Sequence, residues 1–167
     1  MNNNICSFSD VKYRNDNVLG EAFRCTITSL LDDKEVPVKV EAAIALQMML
    51  TSQGEKAKGF VEPHIGKITM ELLQVIRDTE NDDLTTVMQK IICTYTDQLV
   101  PLACNICSHL VDTFNQVVEN GDTGDDRAIT AMGLLNTMET ILNVMESKES
   151  VQMALEPIVL QSGSQVI

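Results

Sequence analysis

The sequence predicts an all-α chain: an α-solenoid of HEAT-type helical hairpins, with about three complete repeats and partial ends. Three observations carry this. Apolar residues recur at three- and four-residue steps through nearly the whole chain, and no β-alternation of useful length interrupts them. Acidic turns separate the apolar stretches. The second helix of each pair begins near Val38, Leu84 and Ala128, spacings of 46 and 44 residues that fall within the HEAT/armadillo period of roughly 40–47. A compact helical bundle is the competing architecture.

The first helix runs from about Val18 to Leu31, with Leu19, Ala22, Phe23, Ile27, Leu30 and Leu31 as its apolar side. Asp32-Asp33-Lys34-Glu35 ends it. Pro37 then opens a second helix reaching about Thr51, because a proline at a first helical position gives up an N–H that has no partner there anyway. Ala42, Ala43 and Ala45 lose no side-chain entropy and let a neighbouring helix approach closely. Gln53 to Gly59 reads as a polar linker. A third helix, about Glu62 to Arg77, carries Ile65, Ile68, Leu72, Val75 and Ile76.

Thr79-Glu80-Asn81-Asp82-Asp83 is the next turn, with Asp82 or Asp83 as the expected cap of a fourth helix bearing Leu84, Val87, Met88, Ile91, Ile92 and Tyr95. Pro101 opens a fifth, striped with Ala103, Ile106, Cys107, Leu110, Phe114 and Val117. Glu119 to Asp126 is the clearest loop. The sixth helix is expected to bury Ile129, Met132, Leu135, Met138, Leu142 and Met145, and Lys148 to Leu160 starts a seventh. The repeats are accordingly placed at 17–52, 53–98 and 99–147, with residues 1–16 part of a preceding element and 148–167 the start of a truncated repeat.

Composition narrows the function. A net charge of −12 disfavours direct nucleic-acid or anionic-membrane binding, since both require cationic surfaces. It favours a basic protein partner, although acidity also serves solubility. Aromatic content of 4% with no Trp argues against a base-stacking platform. No apolar run approaches the ~20 residues needed to span a bilayer, so no membrane insertion is expected. The N-terminus lacks the basic and apolar segments of a secretory signal. Five cysteines, an odd number lying mostly in helical patterns, fit reduced thiols of a cytosolic or nuclear protein.

The chemical motifs are weak. Cys104-Asn105-Ile106-Cys107 is the one CxxC. Zinc needs further ligands at compatible spacing, and a thioredoxin-like centre needs a βαβ context. Both thiols instead lie on or beside an apolar stripe, as core residues do. His64 and His109 have no patterned acid or nucleophile beside them. Gly121 to Asp126 lacks the ligand order of a calcium loop, and no phosphate-loop pattern occurs. The expectation is therefore a non-enzyme without cofactor or metal.

The acidic turns are the better candidates. Asp32, Asp33 and Glu35, then Glu80, Asp82 and Asp83, then Asp122, Asp125 and Asp126 recur at equivalent places. Equivalent loops of a solenoid line one edge, so these carboxylates would form a ladder for Lys/Arg-rich segments. Helix capping and solubility account for the same residues without any partner.

Specific runs go beyond generic repeat geometry. Pro37 to Gln47 resembles a stretch of the importin seven/eight branch of the importin-β karyopherins, as do Ile76 to Thr85, Thr113 to Val118 and Ala131 to Thr137. These runs fall in one colinear order within a resemblance that extends over about Asp10 to Leu160. The resemblance implies a nuclear transport receptor shuttling between cytoplasm and nucleus. Its partners would be basic cargo of histone or ribosomal-protein type, nucleoporins and, in the full-length family, Ran-GTP. It also implies an internal fragment, with Gln161 to Ile167 departing from the family pattern. The alternative is a HEAT-repeat scaffold of a multiprotein assembly without transport activity, and a redox or metal centre on Cys104 and Cys107 comes third. A fragment of stacked repeats should expose apolar end faces, including Leu155, Ile158 and Leu160, and should self-associate.

Overall fold

The computed structural model describes residues 15–119, 125–146 and 149–163. Among them every regular element is helical and no strand occurs. The architecture is the expected all-α, HEAT-type solenoid of packed helical hairpins. No helix among the described residues is long and apolar enough to cross a membrane. The chain divides after Pro63 into two compact units.

The first unit holds α1 (Asp16–Asp32), α2 (Val36–Gln53) and α3 (Glu55–Val61). Asn15 caps α1, its side-chain oxygen accepting the Asn17 N–H at 2.9 Å. Leu19, Phe23, Ile27 and Leu30 of the expected stripe are buried, and α1 packs on α2 through Ala42, Ala43, Leu46 and Leu50. Pro37 lies in the first turn of α2, which begins one residue earlier than expected, at Val36. Gly54 closes α2 at φ +58°, donating its N–H to the Leu50 carbonyl at 3.2 Å. That left-handed backbone is where glycine is needed.

Residues 55–61 correct the expectation of a polar linker. They form α3, packed against both α1 and α2 with Ala57 and Val61 fully buried. The Phe60 ring stacks on Phe23 (centroids 5.5 Å apart, planes at 14°) and covers Gly20, where an added Cβ would lie 3.0 Å from Phe60 Cε1. Sequence polarity misleads here because Lys56 and Lys58 sit on the outer side of a short helix whose inner side is small or apolar.

The second unit contains α4 (Ile65–Thr79), α5 (Asp82–Thr94), the short α6 (Thr96–Leu99), α7 (Ala103–Glu119), α8 (Asp125–Val144) and α9 (Glu149–Gly163). Like helices meet like: α4 pairs with α5 and α7 with α8, while α4 packs on α7, α5 on α8 and α9 on α7. All the expected core residues of α4, α5 and α7 are buried, joined by Thr69, Leu73, Thr85, Val111 and Thr113. The buried threonines return their hydroxyls to the helix itself, as Thr69 does to the Ile65 carbonyl at 2.8 Å.

Two expectations fail in this unit. Met138 of α8 and Met145 just beyond it are buried as expected, but α8 is turned so that Thr130, Leu134, Thr137 and Ile141 face inward beside them, while Ile129 (52% exposed), Met132 (59%) and Leu135 (40%) face out. The inward face is chosen by fit. Thr130 Oγ1 donates to the Glu80 carbonyl at 2.6 Å, Gln89 Nε2 donates to Thr137 Oγ1 at 3.2 Å, and Gly133 lies flush on Thr85. Leu155, expected on an exposed end face, is fully buried where α9 packs on α7, with Ile158 half-buried and Leu160 exposed.

Candidate protein-binding surface

The acidic turns are built differently from one another. In the first, Asp33 adopts extended backbone and its Oδ1 accepts the Glu35 N–H at 2.9 Å. Asp33 is half-buried and shapes the turn. Glu35 stands at the N-cap of α2 but makes no side-chain capping bond, and it is exposed, as is Asp32.

In the second turn, Asn81 caps α5, its Oδ1 accepting the Asp83 N–H at 2.9 Å. Asp82 and Asp83, the expected caps, occupy the first helical positions and point outward. Their charge there complements the helix dipole. Asparagine wins the cap because its backbone is extended, placing the amide oxygen over the free N–H groups of the first turn.

Glu80 behaves differently again. It ends α4 in the left-handed region at φ 50°, donates its N–H to the Ile76 carbonyl at 2.8 Å and receives the Thr130 hydroxyl on its own carbonyl. Its carboxylate pairs with Arg127 Nε at 3.6 Å and its side chain is 22% exposed. Arg127 Nη1 is buried with no hydrogen-bond partner. Glu80 is thus committed within the unit, joining the start of α8 to the α4–α5 turn.

Of the third group, Asp122 lies outside the described residues, and Asp125 and Asp126 begin the backbone of α8. The structure therefore places exposed carboxylates at Asp32, Glu35, Asp82 and Asp83 and withdraws Asp33 and Glu80 from that set.

Among the described residues the thiols do not converge on a reactive centre. Cys107 is fully buried. Burial, with a smaller contribution from Cys104, pushes its pKa up to about 12, the reverse of what a nucleophilic or metal-binding thiolate requires. Cys25 and Cys93 are exposed free thiols, and no group of three or more metal-ligating side chains occurs among the described residues. His64 is exposed in a 3-10 turn, and His109 lies half-buried on α7.

A feature that sequence reasoning missed lies between α5 and α8. An open groove of about 470 Å³ is lined by Asp82, Thr85, Gln89, Ile129, Met132 and Gly133, among others. It exists because Ile129 and Met132, expected in the core of α8, face solvent. The available signal was Gly133 within a helical pattern, a residue type that marks close backbone approach.

A stack of helical hairpins with exposed acidic turns and an interhelical groove is a helical-repeat architecture of the HEAT class. Importin-8 of Danio rerio is 41% identical over 157 residues, covering 93% of this chain. Importin-8 of Homo sapiens is 40% identical over the same share. An importin beta-like SAD2 homolog of Arabidopsis thaliana is 25% identical over 92% of the chain. In each case the chain spans 15% of the relative's length. No family model matches the chain, and no solved structure matches it. The chain corresponds to a segment of the importin seven/eight branch of the importin-β family.

Proposed function

We propose that this chain serves as a cargo-holding segment of a nuclear transport receptor, binding Lys/Arg-rich protein segments through its acidic turns while it moves between cytoplasm and nucleus. The observation that carries the reading is at the start of α5. Asn81 does the capping, so Asp82 and Asp83 are not needed as caps and present two adjacent exposed carboxylates. Asp32 and Glu35 flank the corresponding turn before α2. Each such group adds little by itself in water, and adjacent carboxylates of one turn acting on a basic segment give rapid, salt-sensitive capture.

The division into repeats at 17–52, 53–98 and 99–147 belongs to the same proposal, supported by the pairing of α1 with α2, α4 with α5 and α7 with α8. Cargo of histone or ribosomal-protein type suits the charge of −12. Contact with nucleoporins and release by Ran-GTP extend the reading to the longer receptors the chain resembles.

The test is fluorescence anisotropy of a labelled histone tail against a salt series. The parent chain should bind at low salt and lose affinity steeply as salt rises. The double change Asp82→Asn and Asp83→Asn should weaken binding about fivefold at low salt and flatten the salt dependence. No binding at low salt refutes the proposal, as does an affinity that the double change leaves untouched.

A further inference from the structure

The outward face of α8 has no role in the core. Ile129, Met132 and Leu135 follow one another at three-residue steps and are each at least 40% exposed, while the opposite face of the same helix packs inward. A helix apolar on two faces is normally covered on both. The groove against α5 gives this stripe depth, because Gly133 lets the helices approach closely and leaves Ile129 and Met132 as one wall.

The charged residue that lines the groove is acidic. Asp82 lines it and Asp83 follows at the start of α5, both exposed. Glu139 is exposed one turn beyond Leu135 on α8. Arg127, the cation near the start of α8, is already paired with Glu80. A second copy of this chain would bring another net charge of −12 to the same place, which works against pairing through this face.

We infer that the α5/α8 groove docks a short partner segment that inserts one or two aliphatic side chains against Ile129 and Met132 and sets a flanking Lys or Arg beside Asp82 and Asp83. The inference rests on the basic-cargo reading and adds an apolar anchor to it. Recognition then combines desolvated contact area, which salt does not screen, with charge pairing, which it does.

The probe is a fluorescein-labelled synthetic peptide with three leucines on one side and four lysines on the other. Two controls accompany it, one with every leucine replaced by serine and one with every lysine replaced by glutamine. The full chain should bind the parent peptide about tenfold more tightly than either control. The change Met132→Ser together with Ile129→Ser, at exposed positions where circular dichroism should stay unchanged, should erase the advantage of the leucines and leave the serine control's affinity as it was.

Equal binding of the parent and serine-control peptides overturns the groove while leaving the acidic-turn reading standing. Failure of every peptide at low salt removes both. Loss of a concentration-dependent dimer in sedimentation on making the two serine changes, with peptide affinity unaltered, overturns the inference in favour of a second copy as occupant.

Discussion

Gly133→Ala should destabilise the second unit although it replaces the poorest ordinary helix former with the best. Gly133 lies within α8, and a Cβ built there falls 2.5 Å from Thr85 Oγ1 and 3.2 Å from both Thr85 Cβ and Cγ2. Ordinary contact begins at 3.4 Å, so the new carbon is about 0.9 Å inside the hydroxyl oxygen. Thr85 cannot step aside cheaply. It is buried and β-branched, and its hydroxyl donates to the Asp82 carbonyl at 2.6 Å.

Rotating Thr85 gives up that bond, and sliding α8 away loosens the Thr130–Glu80 and Gln89–Thr137 bonds along the same seam. Overpacking of this kind costs about 3 kcal/mol, and the helix-propensity gain returns about 1, leaving about 2 kcal/mol of net destabilisation. For a unit of this size that is a fall in melting temperature of about 8 °C.

Urea unfolding followed by circular dichroism reads it, and in a Tyr13→Phe background the fluorescence of Tyr95, buried in the second unit of a chain without tryptophan, reports that unit alone. Gly59→Ala is the control. Nothing lies within 4 Å of its Cβ, so the same chemical change in α3 should be neutral or stabilising by about 0.5–1 kcal/mol. Pairing Gly133→Ala with Thr85→Ala should restore about 1 kcal/mol relative to additivity. A Gly133→Ala chain that unfolds at the parent's urea concentration or above refutes the close-approach argument.

Asn81→Ala should cost about 1 kcal/mol by removing the cap of α5, whereas Asp82→Ala should cost only a few tenths, a contrast measured by thermal melts followed by circular dichroism. Leu155→Ala should destabilise the docking of α9 on α7 by about 2–4 kcal/mol in urea unfolding, since Leu155 is fully buried. Cys25 and Cys93 should react with a thiol reagent in the native state, and Cys107 only after unfolding, as resolved by mass spectrometry of the labelled peptides. Cys107 also sets an alkaline limit. Its folded pKa is raised from 9.0 to about 12, so its contribution is intact below the unfolded pKa and is lost as pH rises from about 9 towards 12, because only the unfolded chain then releases the proton. Cys107→Ala should flatten the fall in stability over that window, as read by urea midpoints at each pH.

The helices whose polar and apolar residues segregate by one clear period were legible in the sequence. For α4, α5 and α7 the expected stripe is the observed core. α8 was not legible in this way because it carries apolar residues on two faces, and hydrophobicity alone does not choose between them. The choice was made by Thr130, Gly133 and Thr137, whose small size and hydroxyls fit Glu80, Thr85 and Gln89 across the seam. Such complementarity lies between residues tens of positions apart, beyond any local pattern. The first two acidic turns were legible as turns. Which oxygen caps α5 depends on backbone angles at Asn81 that composition does not encode, and the withdrawal of Glu80 depends on Arg127 arriving from another helix.

The stacked ring of Phe60 has a consequence for how the first unit opens. A seven-residue helix is too short to persist in water once it leaves its neighbours, so undocking α3 and unwinding it are one event. The Phe23 face and the bare surface of Gly20 therefore act as a latch whose release exposes the bonds after Lys56 and Lys58 together. Trypsin nicking at those two lysines becomes a clock for local opening, set by the Phe60–Phe23 stack together with the burial of Ala57 and Val61.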